Sequence, residues 1–142
     1  MAEAAPQKPP TVVELIWEHE LVFAGKSQTS GITLDSAGVE GPSPMQALAF
    51  ALAACMAMDV VHVIKKGRHG LRGLRADLTG HRVPDVPRRF TRVDLRFTVT
   101  GTVPADVVER AIKLSRDKYC SVWHSLRQDI QFDTTFTVSE GV

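Results

Sequence analysis

The sequence has 142 residues, of which 44% are apolar, and this length and composition suit one ordinary domain that buries its own core. Its 17 Lys and Arg residues nearly balance its 16 Asp and Glu residues. Neither sign of charge therefore dominates, as it does in proteins that bind nucleic acid or acidic membrane surfaces. We expect a small-molecule or protein partner, with no nucleic acid and no membrane.

The first ten residues, MAEAAPQKPP, combine three prolines with charged and polar residues, a composition typical of a flexible tail. They lack the charged start, apolar middle and small-residue cleavage site of a secretory signal. The sequence therefore predicts a tail over residues 1–10, a single domain over residues 11–142 and a cytoplasmic location.

Short runs of β-branched and apolar residues predict strands on both sides of a central helix. Three runs separated by Gly and Ser predict an N-terminal antiparallel meander, over residues 11–17, 21–23 and 32–35. Apolar residues at alternate positions predict two paired strands and a last strand, at Leu74, Ala76 and Leu78, at Val93, Leu95, Phe97 and Val99, and at Ile130, Phe132 and Phe136. This order of elements indicates an α+β fold with antiparallel sheet.

The central helix is marked by Ser43 and Pro44, an N-cap followed by proline at the first helical position, and is predicted to run to about Lys66. Residues 47–58 form an apolar run of 12 residues that ends at Asp59, short of the roughly 18 to 20 residues needed to cross a bilayer. Because this run is apolar nearly all round, the helix must be covered on every side. We infer that a second subunit completes the core.

A second helix is predicted to start at Pro104, and a break near residues 117–119 leads into a short helix that carries Cys120. Lys118 and His124 flank this cysteine. Cationic neighbours near a helix start lower the pKa of a thiol, so these surroundings favour a reactive Cys120.

Cys55 lies in the middle of the central helix, with Asp59 and His62 near its face. It can be interpreted as a core cysteine, because free Cys is among the most buried residue types. A reactive thiolate at this position needs a polar or cationic neighbour, since the helix dipole acts only over the first turn. Asp59 is interpreted as a structural residue that holds His62 or an arginine.

Two cysteines in a cytosolic chain favour redox chemistry over a structural disulfide or a zinc site. The five histidines show no metal-ligand spacing, and the sequence has no Gly-rich phosphate loop. These histidines are His19, His62, His69, His81 and His124. We therefore expect no metal and no cofactor.

Two segments of the sequence resemble the OsmC/Ohr family, especially its YhfA-like branch. The family's central helix resembles GPSPMQALAFALAACMAMDVVHVIKK, residues 41–66, and its second-cysteine segment resembles AIKLSRDKYCSVWHSL, residues 111–126. The resemblance extends over nearly everything from Thr11 onward. It implies an OsmC-like fold, in which antiparallel sheets wrap around a long central helix in an intertwined homodimer with active sites at the subunit interface.

The resemblance also implies a thiol peroxidase. Cys55 matches the family's peroxidatic cysteine, which attacks a hydroperoxide as thiolate, and Cys120 would resolve the resulting sulfenic acid to a disulfide. The implied substrates are organic hydroperoxides, with hydrogen peroxide as a further candidate, and a lipoyl group or other dithiol would regenerate the enzyme. Phe50, Leu52 and Met56 are the candidate apolar lining of the substrate pocket.

The sequence departs from the family at the arginine and glutamate that pair beside the reactive cysteine. Met45 and Gln46 follow the helix-opening proline where the glutamate would stand, and no arginine precedes Arg68. Lys26 and His19 are the candidate cationic substitutes, and Gln46 can form hydrogen bonds but cannot anchor a cation. The alternative is a non-enzymatic member of the fold that binds an apolar or thiol-containing small molecule.

A third interpretation makes Cys55 the nucleophile of an acyl-transfer enzyme, with His62 as base and Asp59 as orienter. Two helical turns put Cys55 and His62 about 10 Å apart along the axis, beyond hydrogen-bond reach. We rank this interpretation last.

Overall fold

The chain divides after Ala47 into two units, each with a three-stranded sheet. The computed structural model describes residues 5–141. Residues 5–10 of the predicted tail are exposed and have no regular secondary structure, whereas residues 1–4 and residue 142 lie outside the described range. That residues 11–142 form a single domain stays a prediction.

The N-terminal unit is an antiparallel meander. Its strands are β1 (Val13–His19), β2 (Val22–Ser27) and β3 (Gly31–Asp35), in the spatial order β1-β2-β3. Asp35 is buried at the end of β3, and its carboxylate accepts the backbone N–H groups of Ala37, Val39 and Glu40. These hydrogen bonds, of which that from Glu40 has the largest effect and that from Ala37 the next largest, lower the pKa of Asp35 below its ordinary value. The predicted meander is confirmed.

Helix α1 (Pro44–Lys66) opens with a reciprocal capping box. Ser43 Oγ accepts the backbone N–H of Gln46 at 3.2 Å, and Gln46 Oε1 accepts the backbone N–H of Ser43 at 2.9 Å. Lys65 and Lys66 place positive charge in the last turn, where the helix dipole favours it. The predicted start and end of this helix are confirmed.

The C-terminal unit holds a mixed sheet and three short helical segments. Its strands are β4 (Gly70–Arg82), β5 (Phe90–Thr102) and β6 (Gln131–Ser139), and its helical segments are α2 (Ala105–Leu114), a π-helix that we call the π-turn (Ser115–Tyr119), and α3 (Ser121–His124). The predicted β4–β5 pair is antiparallel, as expected. The expectation of purely antiparallel sheet is wrong, because β6 pairs parallel to β5. The helical segments form a crossover connection that returns the chain to run in the same direction as β5.

One face of α1 is buried in the core of the C-terminal unit. Its buried residues recur every fourth position, and they join the inward side chains of β5 in one cluster; they are Leu52, Met56, Val60 and Ile64. Phe50 and Met58, on other faces, are 69% and 70% exposed. By length and composition α1 is also long and apolar enough to cross a membrane, as the core helix of a soluble protein can be. The expectation that α1 is covered on every side is not met within this chain.

Candidate functional site

The two cysteines, distant in sequence, lie together in the C-terminal unit. Cys55 is half-buried on α1, whereas Cys120 is fully buried at the N-cap of α3. Both are free thiols. The Cys55 thiol lies close enough to hydrogen-bond with Cys120 and to raise its pKa. The structure therefore brings together the two residues that the sequence suggested as a redox pair.

Burial dominates the electrostatics of Cys120. Burial, the largest cause, acts together with the neighbouring Cys55 and against a lowering by the backbone N–H of Trp123, and the net result is a pKa raised from 9.0 to about 11. The expectation that Lys118 and His124 favour a lowered pKa is wrong. Both side chains are exposed, and Lys118 Nζ lies over the ring of Tyr119, 5.3 Å from its centroid. Cys120 is therefore a protonated thiol at neutral pH.

Cys55 has a hydroxyl neighbour that the sequence analysis missed. Ser121 Oγ lies 4.0 Å from Cys55 Sγ, within the reach of a hydrogen bond to sulfur. Ser121 is the first residue of α3, directly after Cys120. Its position beside Cys120 was the only signal in the sequence, because nothing local places it against a residue of α1.

Asp59, one turn after Cys55, has a partner that was also missed. The Ser115 hydroxyl donates to Asp59 Oδ2 at 2.7 Å, and Ser115 is fully buried at the start of the π-turn. The prediction that Asp59 holds His62 or an arginine is wrong, because the crossover connection places the Ser115 hydroxyl against the Asp59 carboxylate. His62 is exposed, and Asp59 does not orient it among the described hydrogen bonds. The acyl-transfer interpretation thus loses its orienter.

The three residues proposed to line the substrate pocket occupy different places. Leu52 and Met56 are 3% and 0% exposed and belong to the core cluster. Phe50 is on the exposed side of the helix. Among residues 5–141 Phe50 therefore lies on a different face of α1 from Leu52 and Met56, because a spacing of two residues points it away from the buried stripe. That the three line a substrate pocket stays a prediction.

The three candidate auxiliary residues belong to the N-terminal unit, where each has a local setting. His19 Nε2 lies 2.9 Å from Glu40 Oε2. Lys26 is exposed on β2, opposite Glu14 of β1. Gln46 forms the capping box of α1. That any of them assists Cys55 stays a prediction.

A polar cleft of about 650 Å³ lies at the C-terminal half of α1. Three basic side chains, a tyrosine and one acid line it, together with apolar residues; the lining residues are Asp59, His62, Val63, Lys66, Gly67, Arg110, Leu114 and Tyr119. Among residues 5–141, no group of three or more His, Cys, Asp or Glu side chains could hold a metal ion. In this unit the Cys55 thiol has the Ser121 hydroxyl as a neighbour, and Asp59 lies one turn further along α1.

The family of OsmC-like proteins matches residues 35–135, a segment that contains both cysteines and the Asp59–Ser115 hydrogen bond. The chain belongs to the OsmC-like family. The resemblance of residues 41–66 and 111–126 to this family is thereby confirmed.

Individual proteins are similar to this chain over most of its length. Protein YhfA of Escherichia coli strain K12 is 37% identical over 125 residues, which are 86% of this chain and 93% of that protein. The crystal structure of a hypothetical protein from Aquifex aeolicus VF5 has a TM-score of 0.86 and 28% identity, and the match covers 93% of this chain and 98% of that one. The organic hydroperoxide resistance protein OsmC of Legionella pneumophila has a TM-score of 0.70 and 14% identity, with 94% and 100% covered, and shares the fold.

Proposed function

We propose that this OsmC-like protein is a thiol peroxidase that reduces organic hydroperoxides through Cys55 and Cys120. The observation that carries the proposal is the asymmetry of the pair: a half-buried Cys55 lies beside a fully buried Cys120 whose pKa is raised to about 11. A substrate can approach the first thiol but not the second. The Legionella structural neighbour, an organic hydroperoxide resistance protein, supports the substrate class.

The first step is attack of the Cys55 thiolate on one oxygen of the hydroperoxide. An S–O bond forms as the O–O bond breaks, and the departing alkoxide takes up the proton that the Cys55 thiol released, to become the alcohol. Cys55 is oxidised by two electrons to a sulfenic acid and the hydroperoxide is reduced. Ser121 Oγ, 4.0 Å from the sulfur, is placed to donate a hydrogen bond to the thiolate.

The second step is resolution by Cys120. Its thiol loses a proton and its sulfur attacks the sulfur of the Cys55 sulfenic acid, so that an S–S bond forms and the S–O bond breaks. The hydroxide that leaves takes the proton and departs as water. Because Cys120 is buried and protonated at neutral pH, it does not react with the hydroperoxide itself and remains available as the resolving thiol.

A dithiol, of lipoyl or another type, would return both cysteines to thiols by two thiol–disulfide exchanges and would itself become a disulfide. This regeneration needs no metal or other cofactor. A cytoplasmic location suits the cycle, because that compartment keeps thiols reduced between turnovers.

A second copy of the chain would complete the fold around α1. The support is the apolar surface that this helix leaves uncovered, where Phe50 is 69% and Met58 is 70% exposed. Large exposed apolar side chains on one helix are typical of an interface. The homodimer would give Phe50 a covered environment and make it a candidate again for the lining of a site between subunits.

A second candidate function is ligand binding without catalysis. It is favoured by the absence of arginine before Arg68 and by the use of Gln46 in the capping box. Without a guanidinium from the segment before Arg68 the thiolate would have less stabilisation, and the fold would bind an apolar or thiol-containing molecule instead.

Stopped-flow mixing followed by intact-mass analysis separates the two functions. The reduced protein is mixed with cumene hydroperoxide or with hydrogen peroxide, alongside Cys55→Ser and Cys120→Ser. We expect a Cys55–Cys120 disulfide in the unaltered chain, a dimedone-trapped sulfenic acid in Cys120→Ser and no oxidation in Cys55→Ser. Thiols that stay reduced with both peroxides would refute the peroxidase and leave the binding protein.

A further inference from the structure

Asp59 and Ser115 connect the two elements that carry the cysteines. Asp59 lies four residues after Cys55 on α1, which places the two side chains on one face, about 5 to 6 Å apart at Cβ. Ser115 opens the π-turn that leads to Cys120. The hydrogen bond from Ser115 Oγ to Asp59 Oδ2, at 2.7 Å, therefore spans from one cysteine-bearing element to the other.

The same serine also holds Cys120 through its backbone. The Ser115 carbonyl accepts the N–H of Cys120 at 2.8 Å, and this hydrogen bond across five residues closes the π-turn. Such π-helical turns are rare and are frequent at functional sites. Ser115 thus has its side chain fixed to α1 and its carbonyl fixed to Cys120, so a shift of this one residue would move the buried sulfur.

The hydrogen bond lies between the core and the cleft. Ser115 is 0% exposed, whereas Asp59 is half-buried and lines the cleft at the C-terminal half of α1. The buried Ser115 hydroxyl needs a hydrogen-bond partner, because an unpaired buried polar group lowers stability, and Asp59 supplies that partner from α1. A directional contact does what apolar packing cannot, since it fixes distance and angle.

We infer that Asp59 and Ser115 are positioning residues that hold Cys120 against Cys55 and thereby set the rate of disulfide closure. This inference rests on the proposed redox function of the cysteine pair. The hydrogen bond acts on the second step alone, in which the Cys120 sulfur displaces hydroxide from the Cys55 sulfenic acid. The Ser115 hydroxyl donates to Asp59 and not to the Cys55 sulfur, so we expect the first step to proceed without this hydrogen bond.

Single variants test the inference in the full-length reduced protein. We expect Ser115→Ala to slow disulfide closure about tenfold, as loss of one charge-assisted hydrogen bond does, while sulfenic acid forms at an unchanged rate. Asp59→Ala should slow closure by a similar factor. Asp59→Asn keeps an acceptor for the Ser115 hydroxyl and should retain most of the closure rate. Asp117→Asn is the matched carboxylate control, since Asp117 lies in the same π-turn but pairs with Lys113 at the surface.

A double variant separates positioning from stability. Asp59→Leu combined with Ser115→Ala leaves no unpaired polar group, so the protein should fold and melt close to the unaltered chain. We expect its closure rate to stay low even so. Closure that recovers together with the melting temperature would overturn the inference, as would an equal slowing of sulfenic acid formation.

Equilibration with glutathione redox buffers gives a readout that needs no peroxidase activity. The ratio of Cys55–Cys120 disulfide to dithiol measures how well the two sulfurs are held together. We expect Ser115→Ala to lower the equilibrium constant for closure about tenfold, equivalent to about 30 mV, with no change in Asp117→Asn. If peroxides fail to oxidise the protein but this shift is found, the proposed function falls and the positioning role stands; an unchanged constant removes the positioning role.

Discussion

Cys120 Sγ accepts a hydrogen bond from the backbone N–H of Trp123 at 3.3 Å, so the buried thiol caps the short helix α3 that follows it. Sulfur is a weak acceptor, and this contact lowers the pKa of Cys120 by less than burial raises it. The cap fixes the direction of the sulfur while the thiol keeps its proton. Two predictions depend on this balance.

The rate of disulfide closure should rise with pH between pH 6 and pH 9, because burial raises the pKa of the Cys120 thiol above its ordinary value. The attacking species is the Cys120 thiolate, whose fraction increases about tenfold per pH unit below the pKa. Sulfenic acid is first formed with one equivalent of cumene hydroperoxide, and closure is then followed by mass after a pH jump between pH 6 and pH 9. A closure rate that does not change with pH would contradict a buried, protonated Cys120.

The stability of the reduced protein should fall with increasing pH between about 9 and about 11. The folded-state pKa of Cys120 lies above the ordinary value of 9.0, so the unfolded chain loses this proton first. The contribution of the protonated Cys120 thiol to the free energy of unfolding is therefore complete below pH 9. It is lost as pH rises through the folded-state pKa, at up to about 1.4 kcal/mol per pH unit. Urea unfolding of the unaltered chain and Cys120→Ser across this range measures it, and equal slopes in the two proteins would refute it.

Ser121→Ala should slow the reaction of Cys55 with cumene hydroperoxide about three- to tenfold, because a hydrogen bond to a thiolate contributes about 1 kcal/mol. Stopped-flow measurement of the first step in a Cys120→Ser background isolates this effect. Ser125→Ala is the control, since Ser125 Oγ donates to the carbonyl of Ser121 and is not among the described contacts of either thiol. Equal rates for Ser121→Ala and Ser125→Ala would show that the 4.0 Å contact is incidental.

Charged residues on the uncovered face of α1 should prevent self-association. Phe50→Glu and Met58→Glu each place a charge where a second copy is proposed to pack, and burial of an unpaired charge is strongly unfavourable. Sedimentation velocity should find a dimer for the unaltered chain and a monomer for these variants. Val86→Glu is the control, because Val86 is 84% exposed in the loop between β4 and β5; a monomeric unaltered chain would contradict the proposal.

The sequence by itself determined the elements whose causes are local. Ser43 and Pro44 set the start of α1 because capping involves residues within one turn. The alternation at Val93, Leu95 and Phe97 determined which face of β5 is buried, because side chains of a strand alternate between two faces. The family could also be recognised from the sequence, since each of its two cysteine-containing segments is one uninterrupted stretch of residues.

Only the tertiary structure decided the features that depend on distant parts of the chain. The parallel direction of β6 follows from the path of the crossover, which periodicity does not encode. Ser115 and Ser121 meet residues of α1 from far along the sequence, so no local pattern marks them. The pKa of Cys120 rises instead of falling because burial, which is set by the packed core, outweighs the charges of its sequence neighbours.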